Sequence, residues 1–257
     1  MSSILFKITD QIGFITLNRP EKLNSFNREM ALQMQAALDR CKENDVRAVY
    51  ISGAGKAFSA GQDLAEVLDP EGPGMQRILS EHYNPIILRI HDLKKPVVAA
   101  VNGVAAGAGA NIALCCDIVV AASSASFIQA FSKIGLIPDS GGTYFLPRLI
   151  GWQRASAIMM LGDKVTATQA EQWGMIYQAI DDESFAEKSK AFASTLAQMP
   201  TIALANTKQA LQKAFNQNLQ QQLQTEDQLQ QASASTADFK EGVESFIQKR
   251  KPVFTGK

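Results

Sequence analysis

The chain has 257 residues, of which 46% are hydrophobic and 19% charged, an ordinary globular composition with enough apolar material for a sizeable core. Lys and Arg together number 25, as do Asp and Glu, so the formal net charge is zero. This balance excludes electrostatically driven binding to nucleic acid or an anionic membrane, while leaving room for a local basic site of the kind a phosphate-bearing small molecule needs.

In chain order, SILFKIT and IGFITLNRP alternate apolar and polar residues around DQIG and predict a β-hairpin. The opening stretch lacks the basic, apolar and small-residue regions of a signal peptide. NREMALQMQAALDRCKEN carries Met30, Leu32, Met34, Ala37, Leu38 and Cys41 at helical spacing. RAVYISGAG predicts a buried strand, so strand, helix and strand form a βαβ unit with a parallel sheet. FSAGQDLAEV is a turn opening a helix, LDPEGPGMQ a loop rich in Pro and Gly, and RILSEHYNPIILRIHDL an amphipathic helix. KPVVAAVNG is a strand, AGANIALCCD a helix, IVVAA a strand and ASFIQAF one more short strand. IPDSGGTYFLPRLIG is a loop entering a helix that ends near Gly151. The most apolar stretch, Val101–Val120, is interrupted by Asn102, Asn111 and Asp117, so it is not expected to cross a membrane.

Beyond about Val165 the pattern becomes helical, with IYQAI the last strand. Thr166 is placed as a helix N-cap. The Gln-rich stretch from Asn216 to Gln231 holds Leu219, Leu223 and Leu229 and predicts an amphipathic helix. The expected organisation is an α/β core over residues 1–195 and a helical region over 196–257. The three cysteines, Cys41, Cys115 and Cys116, suit neither a metal site nor a disulfide framework and are expected to be buried free thiols of a cytoplasmic protein.

Several motifs fail. In SGAGK the first glycine of a phosphate loop is replaced by Tyr50 and its hydroxyl residue by Ala57. Gly107 and Gly109 are followed by Ile112, which breaks a dinucleotide fingerprint. The two histidines, His82 and His91, lack partners for a metal site.

Two small-residue turns pass the test. FSAGQDL, Phe58 to Leu64, and NGVAAGAGA, Asn102 to Ala110, each follow a strand and precede a helix. Such turns expose backbone N–H groups at a helix N-terminus, and two of them converging can hold one oxyanion. Asp139, in GLIPDSGGT, is either an acid/base group or a cap for the helix beginning near Gly141.

On these segments, together with ITLNRPEKLNSFN, KPVVAAVNGVAAGAGANIAL, CDIVVAASSASF, LGDKVTATQAEQWGMI and EGVESFIQKRKPVF, the chain resembles the crotonase, or enoyl-CoA hydratase/isomerase, family over essentially its whole length. The resemblance implies an α/β spiral of ββα units with a helical C-terminal trimerisation region that covers the active site and subunit interface. It implies an acyl-CoA substrate, coenzyme A being part of that substrate, and no metal or redox cofactor. By position, the oxyanion donors are Ala60 and Gly109. CoA contacts fall at Lys22, Leu23, Ala60, Gln62, Asp63 and Leu64, with Lys249 reaching the phosphates from the same or a neighbouring subunit. Tyr83 and His82 close over the acyl group.

The positions where hydratases of the family carry glutamates hold Asn111 and Phe131, neither of which transfers a proton. The resemblance therefore implies an isomerase with Asp139 as its acid/base, Asn111 placing the substrate and Phe131 lining an acyl pocket suited to a ring. Among the family's branches, the segments most resemble isomerases that rearrange an epoxidised aromatic acyl-CoA to an oxepin in phenylacetate degradation. Isomerisation of fatty 3-enoyl or dienoyl chains, hydration, and a non-catalytic acyl-CoA-binding scaffold are the alternatives. A homotrimer or a hexamer built as a dimer of trimers is expected.

Overall fold

The structure, a computed structural model, describes residues 2–257. It opens with a hairpin of β1 (Ile4–Thr9) and β2 (Ile12–Leu17), antiparallel with Ile4 opposite Leu17. The turn residues Asp10 and Gln11 take φ of 51° and 62°, the left-handed pair that matches a two-residue loop to the strand twist. In α1 (Arg28–Arg40) the Asn27 side chain accepts from the Met30 N–H, and Met30, Ala31, Met34, Ala37 and Leu38 are buried.

From there a three-part unit repeats. β3 (Ala48–Gly53) leads into the short β4 (Ala57–Ser59) and then α2 (Leu64–Leu68). After α3 (Gly74–Arg77) and α4 (Asn84–Asp92), β5 (Val97–Val101) leads into β6 (Val104–Ala106) and α5 (Ala108–Leu114). β7 (Ile118–Ala122) leads into β8 (Ser126–Ile128), a 3₁₀ turn at Ala130–Ile134 and α6 (Gly142–Ile150). Then come α7 (Trp152–Leu161), β9 (Lys164–Thr166), α8 (Ala167–Gln172) and β10 (Gln178–Ile180). The long strands form one sheet in the order β1-β2-β3-β5-β7-β10, parallel from β2 onward, and the short ones a second in the order β4-β6-β8-β9. β3, β5 and β7 of the first sheet thus each hand the chain to a strand of the second, which is the ββα spiral that the resemblance implies. β5 is buried at every position, as the uninterrupted apolar run Val97–Val101 requires.

The strands β4, β6 and β9 have no counterpart in the sequence reading. At three residues each they are too short to show a period, and β6 falls inside the small-residue turn. The helix read across RILSEHYNPIILRIHDL is present, but its residues Ile78–Tyr83 are π-helical. Thr166 caps α8 in a capping box with Gln169.

Residue 195 lies in the last turn of α9 (Asp182–Gln198), which packs on the six-stranded sheet through the Tyr50 hydroxyl, 2.9 Å from Ser189 Oγ. The chain then runs through α10 (Thr201–Ala214), α11 (Leu219–Ala234) and α12 (Ala237–Ile247). Buried Arg47 holds this region by donating to the carbonyls of Met199 and Phe254 and to Thr201 Oγ1. Lys208 pairs with Asp117 at 2.9 Å. The Gln-rich stretch is helical as expected, although Leu219 and Leu223 point outward. All three thiols are free and buried. No helix among the described residues is long and apolar enough to cross a membrane.

Candidate active site

β4, β6 and β8 run parallel, so the segments that follow them leave the same end of the short-stranded sheet. Those segments bring Ala60, Gly61 and Gln62, then Gly107 and Ala108, then Ala130, Phe131 and Asp139 to one cavity of about 500 Å³. Leu64, Val67 and Leu68 of α2 and Met75 of α3 complete its apolar wall, with Ile78 and Tyr83 from the π-helical segment. A π-bulge turns side chains out of helical register, a device common beside functional sites.

The two small-residue turns do converge. A Cβ placed on Gly61, whose φ is +90°, would lie 2.8 Å from the Ala106 carbonyl and 3.4 Å from the Ala108 nitrogen. Only glycine permits that conformation and that approach.

One of the expected donors is not free. The Ala60 N–H donates to the Leu23 carbonyl at 2.9 Å, and the Gly61 N–H to Ser59 Oγ at 3.2 Å. The next donor, the Gln62 N–H, has no acceptor among the described residues. On the other turn the Gly107 N–H donates to Ile128, whereas that of Ala108, the first residue of α5, is unpaired as helix starts are. Gly109 is glycine for another reason: a Cβ there would lie 2.6 Å from the Ser59 side chain and 2.7 Å from its carbonyl. It packs α5 onto β4 and does not line the cavity. Of the expected pair, Ala60 is thus corrected, its N–H being taken; Gln62 and Ala108 each carry an open N–H and line the cavity, which Gly109 does not.

Asp139 is half-buried on the cavity wall. Desolvation pushes its carboxyl above the usual carboxylate range, opposed by hydrogen bonds from Ser140 and from its own backbone. Phe131 contributes to the apolar wall, whereas Ile137, two residues before the carboxyl, is 81% exposed. The capping alternative fails for the side chain. α6 begins behind Gly141 with no side-chain cap, and the Asp139 main-chain carbonyl accepts the Gly142 N–H at 2.8 Å.

Asn111 does not reach the cavity, which corrects its expected contact with substrate. It is fully buried, donates from Nδ2 to the Asp139 carbonyl at 2.8 Å and accepts from Gln129 Nε2 at 2.8 Å. Both amide atoms are thereby committed. The Tyr83 hydroxyl donates to Gln62 Oε1 at 2.8 Å, and its ring packs on Phe26 with centroids 6.0 Å apart. His82 is buried but turned away, with Nε2 3.2 Å from Arg28 Nη1 and Nδ1 unpartnered. Asp63 is committed to Arg19 at 2.9 Å and to capping α2 through the Ala65 N–H. Both of its carboxylate oxygens are thereby engaged within the protein. Leu64 lines the cavity and is 53% exposed; Lys22, Leu23 and Lys249 do not line it. Ser140 and Gln129 were not singled out from the sequence, because their roles depend on which neighbours the fold supplies.

This arrangement can hold an oxygen at two N–H groups while one carboxylate moves a proton at an apolar wall. The chain belongs to the enoyl-CoA hydratase/isomerase family, the crotonases, whose sequence model matches residues 7–257. It is 47% identical, over the full length of both chains, to the 1,2-epoxyphenylacetyl-CoA isomerase of Escherichia coli (strain K12). It is 33% identical, again over both full lengths, to the 2,3-dehydroadipyl-CoA hydratase of the same organism. The solved structure of an enoyl-CoA hydratase from Bacillus anthracis superimposes with a TM-score of 0.95 at 32% identity, covering 99% of this chain and all of that one.

Proposed function

We propose that the protein is an acyl-CoA isomerase that converts ring 1,2-epoxyphenylacetyl-CoA to oxepin-CoA. The observation that carries this reading is the cavity's ionisable inventory. Asp139 is its one carboxylate, Phe131 fills one hydratase position, and Asn111 at the other faces away. Hydration requires an acid and a base to deliver water, whereas isomerisation requires one group that removes a proton and returns it elsewhere.

In this reading the thioester oxygen accepts from the Gln62 and Ala108 N–H groups. Asp139 removes a proton from the carbon beside the thioester, and the electron pair is held as an enolate by the two donors. Each donor is worth about 3 kcal/mol of transition-state stabilisation. The same carboxyl returns the proton to a ring carbon as the enolate collapses and the arene oxide opens to the seven-membered ring. No atom enters or leaves. The likeness to the E. coli isomerase supports the aromatic substrate.

A second reading, isomerisation of fatty 3-enoyl chains, is favoured by the exposed Leu68 and Ile134 on the cavity wall, which offer a chain an apolar way out. A homotrimeric or hexameric assembly is part of the proposal, supported by the exposed Leu219, Phe246 and Ile247 of the C-terminal helices.

The test is turnover of three thioesters followed by mass spectrometry and ultraviolet absorbance. The ring epoxide is expected to be isomerised at the highest kcat/KM and a 3-enoyl-CoA more slowly, with no 3-hydroxyacyl product from a 2-enoyl-CoA. Rapid hydration overturns the reading, and tight binding with no turnover of any of the three makes the protein a scaffold.

A further inference from the structure

The turn that carries Asp139 is built in an unusual way. Ser140 is 2% exposed and holds φ at 51°, left-handed backbone that a residue with a Cβ adopts at a cost, and Gly141 follows at 73°. That backbone turns the Ser140 hydroxyl back on its neighbour, where Oγ donates to Asp139 Oδ1 at 2.8 Å. No side chain among the described residues donates to Oδ2. From behind, Asn111 Nδ2 holds the Asp139 carbonyl, and a Cβ on Gly142 would lie 2.4 Å from that same nitrogen. Gly142 is thus the space that lets Asn111 reach the turn.

We infer that Ser140 is the positioning residue of the acid/base: its hydroxyl occupies Oδ1 and leaves Oδ2 as the oxygen that moves the proton, while Asn111 fixes the height of the carboxyl through the main chain. The inference rests on the proposal that Asp139 is the acid/base. It explains why strained backbone is retained beside the cavity, and it assigns Asn111 a role without contact to substrate. A carboxylate with one oxygen occupied presents a single basic oxygen in a single orientation, which serves a group that must remove and redeliver one proton.

The hydroxyl's donation favours the ionised carboxylate and offsets part of its desolvation. The other titratable residue lining the cavity is Tyr83, itself held neutral by burial, so no charged side chain of the wall competes for Asp139.

The test compares the pH dependence of kcat/KM in wild type, Ser140→Ala and Ser140→Gly, with Asp139→Asn as the reference. Ser140→Gly removes the hydroxyl and relieves the left-handed strain, so it is expected to fold even if Ser140→Ala does not. Both variants are expected to move the acidic limb upward by roughly one pH unit. Both are expected to lower kcat by about 10- to 100-fold with KM nearly unchanged, the signature of a misaimed base beside a normally bound substrate. An unmoved limb in Ser140→Gly, with Asp139→Asn inactive, overturns the positioning role and leaves the acid/base in place. An active Asp139→Asn overturns the acid/base reading itself.

Discussion

Gly61 and Ala108 belong to different ββα units, yet the Gly61 Cα lies so close that a Cβ on it would sit 3.4 Å from the Ala108 nitrogen. Two turns far apart in the chain are thereby packed together, with Gln62 and Ala108 on the wall of one cavity. Gly61→Ala adds a methyl to a residue at φ +90° and drives it to 2.8 Å from the Ala106 carbonyl. The strain is about 1–3 kcal/mol, and relief requires the turns to part. Thermal melts are expected to show that loss, with kcat reduced at least 100-fold; an enzyme of normal kcat contradicts the paired donors.

The two ends of the second turn separate chemistry from packing. Ala108 is the first residue of α5, where proline is tolerated because the N–H is unpaired within the helix. Ala108→Pro deletes that donor and is expected to lower kcat by about 10²- to 10³-fold with little change in melting temperature. Gly109→Ala pushes a methyl into Ser59 and is expected to cost about 1–3 kcal/mol of stability. Denaturant titration beside kinetics distinguishes them. The reverse pattern would restore Gly109 as the donor.

Asp139 gives a stability prediction of unusual sign. Its carboxyl is held above the ordinary range by desolvation, so the native chain binds that proton more tightly than the unfolded chain does. Stability therefore falls as pH rises from the ordinary carboxylate pKa of about 3.9 through the raised value, and the deficit persists at neutral pH. Asp139→Asn is expected to melt above wild type at neutral pH, with the gap closing in acid, where both side chains are neutral. Calorimetry at the two pH values checks this, and a variant less stable at neutral pH contradicts it.

Catalysis depends on the same titration in the opposite direction. The base must be ionised to accept the proton, so kcat/KM is expected to climb as pH rises through Asp139's raised pKa. A pH–rate profile already flat down to the ordinary carboxylate range contradicts a desolvated base.

Much of this was legible in the residues. The hairpin, α1, the buried strands β3, β5 and β7, and the cap at Thr166 follow from period and turn chemistry alone. So did the existence of two small-residue turns, whereas the isolation of Asp139 was implied by the family resemblance. The identity of the donors was not legible. Whether Ala60 is free depends on the Leu23 carbonyl arriving from another loop, and whether Gly109 faces ligand or protein depends on where Ser59 packs. Composition places a turn, but the long-range partners of each N–H come only with the fold. For the same reason Asn111, a polar residue in an apolar helix, pointed toward the substrate in the sequence, whereas in the fold both its amide atoms are taken by Gln129 and Asp139.

The central claim is that one carboxylate both removes and returns the proton. The most direct measurement is to incubate wild type and Asp139→Asn with a 3-enoyl-CoA in D2O and follow the products by mass spectrometry. The account predicts that wild type yields the 2-enoyl isomer with at most one deuterium per turnover and no 3-hydroxy product, and that the variant is inactive while still binding the thioester. Rapid formation of 3-hydroxyacyl-CoA, or full activity of Asp139→Asn, contradicts it.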